Sequence, residues 1–97
     1  MTFERLAELV AYDFKHTMEE QGFETFDEMK RCYMWDATDI KEEVSTIVSE
    51  ISSDNWEKTQ NIGETAFVSD DYSFVQIGIC NEMRWGEFKK LVFDFLK

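Results

Sequence analysis

The chain has 97 residues, with 21 Asp and Glu against 10 Lys and Arg, so its formal charge at pH 7 is −11. A field of that sign excludes direct binding of nucleic acid through a basic face, while 43% hydrophobic and 15% aromatic residues exclude an acidic disordered tail. No apolar run reaches the ~20 residues that span a bilayer, and MTFERLAELV lacks the basic-then-apolar order of a secretory leader. The expectation is therefore one domain over residues 1–97, in a cytoplasm where both cysteines stay reduced.

Phe3, Leu6, Leu9, Val10, Phe14 and Met18 recur at steps of three and four, which predicts a helix over about Thr2–Glu20, with Gly22 to end it. Thr25 and Glu28 then have capping-box spacing, and Phe26, Met29, Cys32 and Tyr33 give a second, short helix ending near Met34. Asp36 is placed to cap a third helix, with Trp35 and Ile40 at staple positions. Its apolar stripe is Ile40, Val44, Ile47, Val48 and Ile51. Its wet side carries Asp39, Glu42, Glu43, Ser45, Thr46, Ser49 and Glu50.

From Ser52 to Glu64 the period is lost, and the segment reads as a connection in which Asp54 and Glu57 cap a brief turn around Trp56. Thr65–Ser69 and Tyr72–Ile79 are rich in β-branched and aromatic residues, with Asp70-Asp71 as turn chemistry between them. In the second of these strands Val75, Ile77 and Ile79 share one face, and Tyr72, Phe74 and Gln76 the other. A closing helix spans about Trp85–Lys97, with Asn81 as an earlier start; its stripe is Trp85, Phe88, Leu91, Val92 and Phe95, and Phe93 points away from it. The fold class that follows is α+β: three N-terminal helices (the second and third helix-turn-helix-like), a β-hairpin or small antiparallel sheet, and a C-terminal helix.

The residues that carry most chemistries are scarce. His16, the lone histidine, falls on the polar side of the first helix, where a solvated side chain is the ordinary outcome. Cys32 and Cys80 read as inert, buried thiols, and one His with two scattered Cys does not make a zinc site. Asp70-Asp71 lacks a calcium-loop pattern. No catalytic residue, cofactor or metal is expected, and the chain is not read as an enzyme. The helix-turn-helix pattern is read as packing alone, because its second helix would turn Asp36, Asp39, Glu42, Glu43 and Glu50 toward phosphate.

The charge is uneven. Met1–Glu57 holds 15 acids and 5 bases, a balance of −10, whereas Lys58–Lys97 holds 6 and 5, a balance of −1. Solubility alone accounts for many charged faces, but ~2–8 net charges suffice for a small domain. On the third helix Asp39 and Glu43 lie about 6 Å apart in rise, and Glu43 and Glu50 about 10 Å. That spacing is comparable to the phosphates of one nucleic-acid strand. The row of Asp36, Asp39, Glu42, Glu43 and Glu50 thus suits the cleft of a basic nucleic-acid-binding protein, with Trp56, Tyr72 and Phe74 as candidate apolar anchors. The alternative is a regulatory or structural adaptor with helix-turn-helix-like packing, self-associating through an apolar hairpin face.

Two stretches, WDATDIKEEVSTIVSEI and YSFVQIGICNEMRWGEFKKLVFDFLK, give the chain a type-level likeness. It resembles the small acidic inhibitors encoded by phages and mobile elements, of anti-CRISPR and anti-restriction type, and the bacterial immunity proteins that neutralise nuclease toxins. The resemblance implies a non-enzymatic inhibitor of a CRISPR effector or nuclease, acting in a bacterial cytoplasm, and it matches no motif residue by residue.

Overall fold

The computed structural model describes residues 1–54 and 65–97, with the side chains of Ser53 and Asp54 left out. The turn expected around Trp56 lies outside the described residues. Helix α1 (Phe3–Gln21) begins where the Thr2 side chain accepts from the Arg5 N–H at 3.0 Å. It ends at Gly22 in the left-handed region (φ 77°), so that the Gly22 and Phe23 N–H groups close back on the Glu19 and Met18 carbonyls. Glycine suits that conformation because it has no Cβ to clash.

Helix α2 (Phe26–Cys32) is capped by Thr25, whose hydroxyl accepts from the Glu28 N–H at 3.2 Å. The Glu28 carboxylate reaches the Glu24 N–H at 3.1 Å, one residue earlier than an ideal capping box. The chain leaves α2 through Met34, at φ 58°, with the Met34 and Trp35 N–H groups bonded to the Arg31 and Lys30 carbonyls. Helix α3 (Ala37–Asp54) then starts on a reciprocal cap: Asp36 accepts from the Asp39 N–H at 2.9 Å, and Asp39 from the Asp36 N–H at 3.0 Å. It runs further than the apolar period suggests. Ser52, expected in a connection, is helical, and its hydroxyl accepts from the Ala66 N–H at 3.4 Å. That bond ties the end of the helix to a strand a loop away, a partner that local pattern does not reveal.

Strands β1 (Ala66–Val68), β2 (Phe74–Ile77) and β3 (Asn81–Arg84) form an antiparallel sheet in the order β1-β2-β3. Ala66 lies opposite Ile77, Val68 opposite Val75, and Val75 opposite Met83. The β1–β2 turn is organised by the Asp71 carboxylate, which accepts from the Ser73 hydroxyl at 2.7 Å, the Ser69 hydroxyl at 2.8 Å and the Ser73 N–H at 3.1 Å. Those bonds, Ser73 foremost, hold its carboxyl below the usual range. Two expectations fail here. Tyr72 sits in the turn at φ 57°, packed against the core, and Ile79 does not share the inner face with Val75 and Ile77. The strand stops at Ile77 because Gly78, at φ 66°, turns the chain, and Ile79 stands 92% exposed at the tip. Asn81–Arg84, read as an early start of the last helix, is instead β3, since pairing with β2 satisfies its backbone.

Helix α4 (Trp85–Leu96) follows β3 without a loop. It packs chiefly on α1, which also touches α3 and α2, while α3 lies against β1. The core they enclose includes Leu6, Val10 and Phe14 of α1, Val44 and Val48 of α3, Val75 and Ile77 of β2, and Phe88 and Val92 of α4. Phe88 is fully buried, worth about 1.5–3 kcal/mol relative to exposure. Phe26 lies at the junction of the helices, its ring 5.0 Å from Phe14, 5.4 Å from Phe93 and 6.3 Å from Trp35. Phe93, off the stripe of α4, is therefore partly buried rather than left to solvent, because the Phe26 ring of α2 packs against it. The thiols of Cys32 and Cys80 are exposed, contrary to the buried sites expected: α2 is too short to fold its flank under, and Cys80 lies in the β2–β3 turn. Among the described residues no helix is long and apolar enough to cross a membrane.

Candidate functional site

The acidic row of α3 follows from helical geometry. At about 100° per residue, Glu42, Glu43 and Glu50 all fall within about 60° of Asp39, whereas Lys41 lies about 160° away. Ile40, Val44, Ile47, Val48 and Ile51 occupy the adjoining arc and turn into the core. The apolar stripe thus fixes the rotation of the helix, and the carboxylates are left on one outward band. Glu42 and Glu50 are exposed, while Asp39 and Glu43 are half-buried along the edge of the stripe.

Glu43 is the centre of that band. Its carboxyl is pushed above the usual range by burial first, then by the negative charges of Glu50, Asp39, Glu42 and Asp13. Asp13 belongs to α1 and had no place in the row read from the sequence. Spacing within one helix cannot report a carboxylate brought in from another; the only local signal was that Asp13 immediately precedes Phe14 of the buried stripe. Among the described residues no ion pair involves Asp36, Asp39, Glu42, Glu43 or Glu50. Among the described residues, ion pairs join Arg5 to Glu8, His16 to Glu20 at 2.9 Å, Asp27 to Lys30 at 3.8 Å and Asp94 to Lys97 at 3.5 Å.

The predicted residues divide by what the fold asks of them. Asp36 and Asp39 already serve as the α3 cap, so part of their hydrogen-bonding capacity is spent on backbone N–H groups. Glu42, Glu43 and Glu50 have no such duty to the helix start. Tyr72 is held against the core, and Phe74 is half-buried on β2 opposite Arg84. Trp56 lies outside the described residues.

Two open grooves of about 450 Å³ each cross the described surface. One runs between α1 and α4 over Leu9, Tyr12 and Phe95, and the other between α2 and the end of α4 over Phe26, Phe93 and Leu96. Charged residues rim both, and several of these are paired with each other, as Arg5 is with Glu8 and Lys30 with Asp27. Among the described residues no group of three or more His, Cys, Asp or Glu is placed to hold a metal ion. Comparison with protein-family models, with curated proteins and with solved structures finds no match to the chain.

Proposed function

We propose that the protein is a non-enzymatic inhibitor that uses the acidic band of α3 to occupy the basic groove of a nucleic-acid-handling protein, such as a CRISPR effector or nuclease, in a bacterial cytoplasm. One observation carries the reading: Glu43 is kept half-buried among Asp39, Glu42, Glu50 and Asp13, a like-charge concentration that opposes folding. A solubilising surface has no need to crowd its charges, and spreading them would remove the repulsion. A cationic groove relieves the same repulsion on binding, releases the counterions of both partners, and lets a rigid helix stand in for a phosphate row.

The test is affinity capture from a bacterial host lysate, at low and high ionic strength, with Glu42, Glu43 and Glu50 changed together to Lys and the capping pair Asp36 and Asp39 left intact. The parent should retain a basic nucleic-acid-binding protein that is released by salt and displaced by a DNA or RNA duplex. The triple variant should retain none. If it holds the same partner as firmly as the parent, the acidic band is not the binding surface.

A further inference from the structure

The outer edge of the sheet is self-complementary. On β2, the Gly78 N–H bonds to the Thr65 carbonyl and the Ser69 N–H to the Phe74 carbonyl, so even-numbered residues turn their backbone toward β1. The odd-numbered Val75 and Ile77 therefore face β3, bonding with Met83 and Asn81, and the Trp85 N–H bond to the Ser73 carbonyl at 3.0 Å continues the alternation. It follows that the N–H and C=O groups of Glu82 and the N–H of Arg84 point away from the sheet, while the Arg84 carbonyl, at the N-cap of α4, serves the first turn of that helix; both residues are exposed. The opposite edge, β1, is covered by α3. Among the described residues β3 is thus the open edge, and it carries one negative and one positive side chain.

We propose that β3 pairs with β3 of a second copy across a twofold axis, joining the two sheets into one. Charge selects the register. Antiparallel pairings centred on Glu82 or on Arg84 set like charges directly opposite each other, which is destabilising. The pairing centred on Met83 sets Glu82 of each copy opposite Arg84 of the other, and it lets the Arg84 N–H of each copy donate to the Glu82 carbonyl of the other. Charged side chains ordinarily protect an edge from pairing; here their alternation disfavours the registers centred on either charged residue and favours the one centred on Met83.

A second copy is the fitting occupant because the edge is locally neutral on a chain of charge −11, and each charge finds its opposite only in the mirrored order of the same strand. The covered β1 edge closes the assembly at a dimer rather than a fibre. The acidic band on α3, at the other side of the sheet, stays open, so this inference stands independently of the proposed inhibitor role. A strand this short buries less than the roughly 1,200 Å² of a standard interface, and the dimer is correspondingly weak, with a dissociation constant of roughly micromolar to millimolar. Two strongly negative copies also repel, and salt screens that repulsion. Dimerisation therefore strengthens with moderate salt, where groove binding by α3 weakens.

Sedimentation equilibrium of the whole chain, from micromolar to millimolar concentration and at roughly 0.01 and 0.15 M salt, tests the proposal. The parent should dimerise, more tightly at the higher salt. Glu82→Arg alone and Arg84→Glu alone should each weaken the dimer about tenfold or more, since each converts both cross-strand pairs to like charges. The double exchange should restore it. Far-UV circular dichroism checks that the variants fold, and amide exchange of the parent at Arg84 should slow as concentration rises. A parent that is monomeric throughout overturns the proposal. So does a double exchange that fails to rescue, or a dimer whose Arg84 amide exchanges at the monomer rate.

Discussion

Replacing Glu43 by Gln isolates the central claim about charge, because the side chain keeps its shape and loses only its ionisation. Glu43 faces Asp39 one helical turn away, Glu42 beside it, Glu50 two turns on, and Asp13 from α1. A like-charge pair one turn apart on a helix costs about 0.2–0.5 kcal/mol. The more distant charges and the partial burial add to that figure while solvent screening reduces it, so the total at pH 7 and low salt is about 0.5–1 kcal/mol. The variant should therefore be more stable than the parent, with a melting temperature about 2–8 °C higher for a domain of this size. The pH dependence has a definite sign. A carboxyl whose folded pKa is raised binds protons more readily in the folded state, so the parent loses stability as pH rises from the ordinary value of 4.5 through the higher folded value. Parent and variant should converge below pH 4.5 and also in 1 M salt. Thermal and urea unfolding followed by circular dichroism at pH 4 and pH 7, with and without salt, provide the measurement. A variant equal to or less stable than the parent at pH 7 and low salt would show that the band is already neutralised, and the inhibitor proposal would lose its support. If the proposal holds, the same substitution weakens partner binding while raising stability, the opposition expected of a binding residue retained at a cost to folding.

Two further predictions concern local geometry. Met34→Gly removes a left-handed conformation that costs an L-residue about 1–2 kcal/mol and adds about 0.5–1 kcal/mol of unfolded-state freedom; with Met34 85% exposed, urea denaturation should show a net gain of about 0.5–1 kcal/mol, and a loss would mean that the thioether makes contacts needed at the α2–α3 corner. Asp71→Asn should flatten the acid limb of the stability profile: the depressed carboxyl of the parent contributes stability above its ordinary value of 3.8 that is lost as pH falls through the folded value, whereas parallel urea midpoints for parent and variant between pH 2 and 5 would remove Asp71 from the turn's support.

The order of residues along the chain was enough to locate the helix caps, which close within a few residues. Thr25 and Asp36 cap the helices they were expected to cap, since the hydroxyl of one and the carboxylate of the other each reach an N–H three positions on. The acidic band of α3 was legible for the same kind of reason: a fixed rotation per residue orders side chains around an axis without reference to the rest of the chain. Tertiary structure alone decided the features that need a distant partner. Asp13 joins Glu43 only when α1 packs on α3, and Phe93 is partly buried because Phe26 arrives from α2. Asn81–Arg84 becomes a strand through pairing with β2. A helix satisfies its own backbone as it forms, so its limits and faces are written locally. A strand is completed by another segment, and neither its ends nor its open edge exist until that segment is in place.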